Sequence, residues 1–359
     1  MSFLKTLKIN SVRNIEHAEL DLSPKLNLIY GMNGSGKTSI LESVHLLAMG
    51  RSFRTKKTGS LITDCHSGLS IFGETGTNYK IGLSKLSHQK HQLKLDFKFQ
   101  KNWDSVARII PVQILDSNSF LLLEGGPKAR RQFLDWGVFH VKQSFVSDWR
   151  STRKCIANRN VLLKARDFDT SQLRAWDLEL CESAEKVHSA RKEYFGLFEP
   201  LFRSVYGSLA GDESPISLGY SRGWLEQEPL ETVLRDSASR DRKYGATQNG
   251  PHRADILVKL GDRPAIDVLS RGQQKVLVGA LKIAQGMLHS ASIGGPCIYL
   301  LDDLPAELDH VNRERILRKI FELECQLFVT SVDKESLKRC LEHAPETHTF
   351  HVERGTIRA

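Results

Sequence analysis

The segment Tyr30-Gly31-Met32-Asn33-Gly34-Ser35-Gly36-Lys37-Thr38 has the residue types and spacing needed to wrap a chain of phosphates. Gly31, Gly34 and Gly36 let backbone N–H groups, with those of Asn33 and Ser35 among them, turn inward around the anion. Lys37 reaches the β and γ oxygens, and the Thr38 hydroxyl can ligate Mg²⁺. A surface turn of similar composition would lack the flanks seen here, an apolar run from Leu26 to Tyr30 before the loop and a helix-like one from Ile40 to Met49 after it. Nucleotide binding is the first expectation. Downstream, Ile298-Tyr299-Leu300-Leu301-Asp302-Asp303 is an apolar strand ending in two carboxylates, of which the first suits Mg²⁺ and the second a polarised water. Between them, Leu269-Ser270-Arg271-Gly272-Gln273-Gln274 opens a helical run, Val276 to Leu288. Ser270 and Gly272 there sit at a helix N-terminus, where free N–H groups, the positive dipole end and a hydroxyl suit a γ-phosphate or form an ordinary serine cap.

The elements that must position these residues are of mixed type. Strand-like runs (Leu4 to Ile9, His17 to Leu22) lead into the phosphate loop, and residues 69 to 115 alternate as in Leu93-Lys94-Leu95-Asp96-Phe97-Lys98-Phe99, which predicts a small antiparallel sheet. From Lys128 to about Tyr206 the pattern turns helical, with Leu173, Trp176, Leu180, Ala184, Val187, Tyr194 and Phe198 at spacings of roughly three and four. Gly196 and Pro200 close that stripe and favour a short helical hairpin over a long coiled coil. The expected organisation is an α/β head formed by 1–118 and 244–359, with a mainly helical lobe over 119–243 between its halves.

Composition narrows the partners. Six scattered cysteines (65, 155, 181, 297, 325, 340) form no zinc or disulfide pattern. No signal-like start or uninterrupted membrane-length apolar run is present, so a soluble, cytoplasmic protein with no membrane partner is expected. The net charge is +9, and between Gly125 and Arg166 ten Lys/Arg face Asp135 and Asp148 alone, a local +8. With Trp136, Phe139, Phe145 and Trp149 interleaved, this segment suits a polyphosphate backbone such as DNA, or else a solvated helix face over buried aromatics.

Walker A loop, Leu-Ser-x-Gly-Gln signature and Walker B strand, in that order, resemble the ABC-type ATPases. Asn10 to Asn14, Gly126-Pro127-Lys128-Ala129-Arg130-Arg131-Gln132-Phe133-Leu134-Asp135, Gly250 to Asp255, Leu269 to Gln273 and Leu301 to Asp309 together resemble the bacterial RecF family of DNA replication and repair proteins. The resemblance implies an SMC/Rad50-like head without the long coiled coil. It implies ATP and Mg²⁺ as cofactors and an ATP-dependent homodimer in which each nucleotide lies between the Walker motifs of one subunit and the signature of the other. Lys37 and Asp303 are then catalytic, Asp303 as general base. Thr38, Asp302 and a Q-loop residue, Gln113, hold the metal, Ser270, Gly272 and Gln273 meet the γ-phosphate in trans, and Asp309 lies at the dimer interface. It further implies gapped or junction DNA, RecO and RecR as partners, recombinase loading and the SOS response. Lys128, Arg130 and Arg131, with Arg51, Arg54, Lys56 and Lys57 as a second set, are the DNA-binding candidates. An aspartate where the wider class has glutamate predicts slow hydrolysis, and Val332-Asp333 stands where many members have a switch histidine, with His252 a possible substitute. A transporter's soluble motor, or another switch ATPase acting on a protein, shares the ATP motifs. A P-loop small-molecule kinase would not need the signature.

Overall fold

In the computed structural model the chain is described over residues 3–358 apart from 56, 58, 88, 90, 166–169, 211–215, 305–307, 338–340, 342, 343 and 345. It divides into two compact units, one of Met1–Ser119, Ser208–Ala210 and Arg271–Ala359, the other of Phe120–Gly207 and Gly211–Ser270.

The first unit begins with a hairpin, β1 (Leu4–Val12) and β2 (Ile15–Asp21), whose turn places Arg13 at φ +58. β3 (Leu26–Tyr30) is buried along nearly its whole length and leads into the phosphate loop and α1 (Lys37–Met49). Then come β4 (Gly68–Thr75), β5 (Lys80–Leu86), β6 (Gln92–Leu95), β7 (Lys98–Gln100), the short α2 (Asp104–Ile109) and β8 (Val112–Leu115). Strict alternation in β4 and β5 buries one face only, and these strands join β1 and β2 in a six-stranded antiparallel sheet of order β2-β1-β4-β5-β6-β7.

In the second unit α3 (Leu121–Glu124), α4 (Gly126–Val141), α5 (Phe145–Lys164) and α6 (Thr170–Ala210) come first. β9 (Ile216–Ser221), α7 (Leu230–Asp236), α8 (Ala238–Tyr244), β10 (Asp255–Leu260) and β11 (Arg263–Pro264) follow. Cys155 of α5 packs with Leu180 and Ala184 of α6 and with Trp224 and Leu234 beyond it. Two sequence expectations change here. α6 does not stop near Gly196 but runs 41 residues with Pro200 inside it, a rod of roughly 60 Å. Phe198, Phe202, Val205 and Leu209 are buried on both sides of the proline, and that packing offsets the one backbone hydrogen bond Pro200 cannot make. Residues 244–270, expected to rejoin the head, stay in the second unit because β10 pairs antiparallel with β9 along its whole length.

The chain returns to the first unit through α9 (Arg271–Ile293), β12 (Ile298–Leu301), α10 (His310–Phe321), β13 (Leu327–Ser331), β14 (Thr347–Glu353) and β15 (Thr356–Arg358). α9 is long and apolar enough to cross a membrane, yet 67% of its apolar window is buried in the protein, as in a core helix. The second sheet has the order β15-β14-β3-β13-β12-β8 and is parallel except at the β14–β15 hairpin. One core joins both sheets: Ile9, Ile71 and Leu83 from the antiparallel sheet, Ile29, Leu300 and Phe328 from the parallel one, and Ile40, Val44 and Leu47 of α1. α1 is buried on almost every side, which fixes its N-terminus rigidly beside the ends of β3 and β12. The α/β reading therefore holds, with a parallel nucleotide-binding type of sheet backed by an antiparallel one.

Candidate functional site

The phosphate loop is shaped by residues only glycine can replace cheaply. Gly31 has φ +152, and a Cβ there would lie 2.2 Å from the Val352 carbonyl oxygen. Gly34 and Gly36 have φ +78 and +123. Asn14, from the β1–β2 turn, straps the loop: its Nδ2 donates to the carbonyls of Gly34 (3.1 Å) and Ser35 (3.0 Å), and its Oδ1 accepts from Ser39 Oγ. Gly36, the residue before α1, offers no side-chain cap, so the helix N-terminus opens toward whatever fills the space before it.

That space is a cavity of about 660 Å³. It is lined by Arg13 and Asn14, by Asn33, Gly34, Gly36, Lys37, Thr38 and Ser39, by Arg54, Ser60, Ile62, Thr63 and Asp64 after α1, and by Asp302 and Asp303. Lys37 is 7% exposed, and its Nζ donates to the carbonyls of Gly31 (2.6 Å) and Met32 (3.1 Å). Burial lowers its pKa, opposed by Asp303 and Asp302. Thr38 Oγ1 donates to Asp302 Oδ1 at 2.9 Å, and Thr330 Oγ1 of β13 donates to the same oxygen at 2.9 Å. Burial raises the Asp302 pKa, against these two hydrogen bonds, with the charge of Asp116 adding to the rise. Asp303 stands at φ +48, and its N–H donates to Thr330 Oγ1 at 2.7 Å.

These features fit a nucleoside triphosphate with its divalent cation. An uncapped helix start and a buried ammonium face one side of the cavity, and a hydroxyl–carboxylate pair faces the other. Behind them lies a buried carboxylate the motifs did not predict. Glu42 of α1 is 0% exposed, accepts from Arg13 Nε and Nη2 at 2.9 Å each, takes the Ser52 hydroxyl and lies 3.8 Å from Arg54 Nη1. Its signal was the one acid in the mostly apolar run Ile40 to Met49. Asp116 also went unpredicted, although Val112 to Leu115 followed by an acid repeats the pattern of Ile298 to Asp302.

Several predicted residues lie elsewhere. Gln113 does not line the cavity: its side chain is buried in β8 and donates to Gln285 Oε1 of α9 at 2.8 Å, so a metal-ligand role has no geometric support. Ser270 is exposed immediately before α9, and Gly272 and Gln273 fall in that helix's first turn; none of the three lines the cavity. Asp309 caps α10, its carboxylate accepting the Asn312 N–H at 3.0 Å. Of Arg51, Arg54, Lys56 and Lys57, Arg54 lines the cavity. Arg51 and Lys57 are exposed, and Lys56 lies outside the described residues.

The second basic set is largely spent inside its own unit. Arg130 forms a two-pronged ion pair with Asp255 (2.7 and 2.8 Å), and Arg131 donates to the Ala254 carbonyl (2.8 Å). Asp135 pairs with Arg191, whose other nitrogen reaches the Pro251 carbonyl. The landmarks Gly126 to Asp135 and Gly250 to Asp255 thus interlock as a brace, in which Arg130 and Arg131 both make hydrogen bonds within the fold. Lys128 remains exposed. His252 donates from Nε2 to the Thr247 carbonyl at 2.9 Å within the same brace, and burial lowers its pKa.

Comparison with known proteins follows this geometry. The model of the RecF/RecN/SMC N-terminal domain matches residues 3–357. A protein of Pseudomonas syringae pv. tomato named DNA replication and repair protein RecF is 41% identical over 358 residues, covering 99% of this chain and 97% of the relative. The chain belongs to the RecF family. A RecF of Cellvibrio japonicus is 40% identical over 360 residues. Among solved structures, a recombination mediator RecF bound to ATP, described as part of the RecFOR pathway, superimposes with TM-score 0.88 at 24% identity over 99% of this chain and 97% of that one. The Smc head domain of Pyrococcus furiosus, bound to the C-terminal domain of ScpA, gives 0.61 at 15% identity over 100% and 96%. These likenesses establish the RecF and SMC-head fold.

Proposed function

We propose that this RecF family member is an ATP-dependent DNA-binding protein of replication and repair, in which ATP closes a homodimer on DNA and hydrolysis releases it. The observation that carries the reading is the cavity at the uncapped start of α1, where Lys37, Thr38 and Asp302 converge. Lys37 Nζ exchanges the carbonyls of Gly31 and Met32 for phosphate oxygens. Thr38 and Asp302 hold Mg²⁺, which when bound neutralises phosphate charge. Asp303 holds a water proton at its carboxylate, one methylene short of a glutamate's reach, so turnover is slow and ATP acts as a timer. Ser270 and Gly272 lie off the cavity, which supports their acting on the nucleotide of a second subunit. The names of the relatives support a role in DNA replication and repair, and the ATP-bound neighbour of the RecFOR pathway supports ATP as ligand and RecO and RecR as partners. Gapped or junction DNA as target and recombinase loading as outcome complete this reading.

A second reading is a switch ATPase that acts on a protein partner, favoured by the internal pairing of Arg130 and Arg131. Light-scattering mass with ATP·Mg²⁺, with and without a gapped duplex, separates the two. ATP should double the mass of the unaltered protein, Ser270→Arg should remain monomeric, and Asp303→Asn should trap a dimer on DNA. Nucleotide-independent mass would overturn the dimer clamp, and a dimer indifferent to DNA would favour the protein partner.

A further inference from the structure

The antiparallel sheet of the first unit has one face in the core and one toward solvent. Its inner row, Ile9–Ile71–Leu83–Leu93, is buried throughout. The outer row in the same registers is Lys8–Phe72–Gly82–Lys94–Phe99, running across five strands. At its centre a Cβ on Gly82 would meet nothing within 4 Å, so the middle of the row is open backbone. At the β7 end Phe99 is 67% exposed with Lys94 Nζ 4.6 Å from its ring centre, and Phe97 is 73% exposed with Lys80 Nζ 5.5 Å from its own.

Phe97 is also in a conformation that its residue type disfavours. Leu95 pairs with Lys98, so Asp96 and Phe97 form a two-residue turn with φ +48 and +65, the mirror-image hairpin turn that favours Asn-Gly. A bulky aromatic at positive φ with its ring 73% exposed is costly to the turn, and the Lys80 contact over the ring is its one ring interaction among the described residues. Lys80 and Lys94 lie on β5 and β6, inside the sheet, so they do not serve the protection against strand pairing that charges on an outer strand give, and the two exposed phenylalanines at the β7 end work against such protection. Lys8 is tied to Glu19 in an ion pair at 2.6 Å, so the lysines that stand beside the exposed rings are Lys94 and Lys80, the latter with Glu74 across from it on β4.

We propose that this face is a stacking platform for single-stranded nucleic acid, with bases on the rings of Phe97 and Phe99 and phosphates on Lys80 and Lys94. Both ring faces now engaged by ammonium groups are available to a base, since a lysine displaced from the ring keeps its reach to the neighbouring phosphate. Gly82 leaves room between Phe72 and Lys94 for the strand to cross the sheet, over a span of roughly 14 Å from Phe72 to Phe99. The inference rests on the DNA-binding reading above and adds to it the strandedness of the DNA and the place it occupies.

The test is fluorescence anisotropy with a labelled oligothymidylate, an abasic oligonucleotide of equal length and a duplex, as a function of salt. The unaltered protein should bind thymidylate more tightly than the abasic strand, and Phe97→Ala and Phe99→Ala should each weaken thymidylate about 5- to 100-fold and erase that preference while sparing duplex binding. Phe97→Asn should raise the melting temperature, by relaxing the turn, and still lose thymidylate affinity, which separates binding from folding. Equal thymidylate binding by all variants, or loss of homodimer mass with DNA binding intact, overturns the platform and leaves DNA binding standing. Failure of the unaltered protein to bind any of the three probes overturns the DNA-binding reading itself.

Discussion

The nucleotide cavity of the first unit and the basic segment of the second are both dense in charge, and they use it in opposite ways. Around the cavity, Lys37 rests on backbone carbonyls, the start of α1 has no side-chain cap and Asp302 is held by two hydroxyls, so the groups are positioned yet have interactions left to make. In the second unit Arg159 is 0% exposed and bonded to Asp177, Asp241 and Thr247, and Arg130 and Arg191 each grip a carboxylate with two nitrogens. Charge directed at a ligand and charge consumed by the fold look alike in a count of residues. What separates them is whether a counter-charge has been built in.

The sharpest way to break that contrast is to remove one member of each kind. Arg159→Leu leaves Asp241 buried without its partner and should destabilise the second unit by about 3–5 kcal/mol in urea unfolding, with the first unit's transition unmoved. A shift of both transitions together would contradict the separation. Next in size is a pH effect confined to the first unit. His45 of α1 donates from Nδ1 to the Arg51 carbonyl, and burial brings its pKa down to about 4. Above pH ~6.5 it is neutral folded or unfolded; as pH falls below that value the unfolded chain takes up a proton that the folded one refuses, so stability should drop by about 3 kcal/mol by pH ~4. Subtracting the profile of His45→Gln from that of the unaltered protein isolates the effect, and parallel profiles would exclude it.

Lys37→Ala should behave as the inverse of Arg159→Leu. Calorimetric titration should show ATP affinity about 10- to 100-fold weaker, as for loss of a charge-assisted hydrogen bond, with little change in melting temperature. A large loss of stability would mean that Lys37 serves the loop rather than the ligand. The smallest effect should come from Lys128→Ala, an exposed side chain whose loss should change stability by less than about 0.5 kcal/mol and lower only the salt-dependent part of DNA affinity.

Legibility in the sequence follows the same division. The phosphate loop was readable because its chemistry runs through backbone: glycines at fixed offsets, a lysine and a hydroxyl at the first helical positions, with strand and helix on either side. The Asp302–Asp303 pair was readable as a strand that ends in acids. The basic segment left two readings open because the partner that neutralises Arg130 lies at Asp255, and no local pattern announces an ion pair at that distance along the chain. Glu42 escaped for a related reason, since an acid in an apolar helix acquires meaning only when Arg13 and Arg54 arrive from either side of it. Gln113 had a plausible position after Pro111, but the register of β8 beside β12 buries its amide against Gln285. The continuation of α6 past Pro200 depends on packing that intrinsic propensity cannot foresee.

Strand order also bears on how the molecule is made. β3, which carries the phosphate loop, is flanked by β13 and β14, and no neighbour for it exists until residues 327–353 have been synthesised. The second unit, by contrast, draws nearly all its residues from the continuous interval between Phe120 and Ser270. On the ribosome the helical unit can therefore complete itself while β3 waits unpaired, and the cavity at the phosphate loop is among the last structures to close. A chain released early would carry every residue of the phosphate loop yet lack Val352 and Gly355, the C-terminal residues against which Gly31 and Ser35 are set.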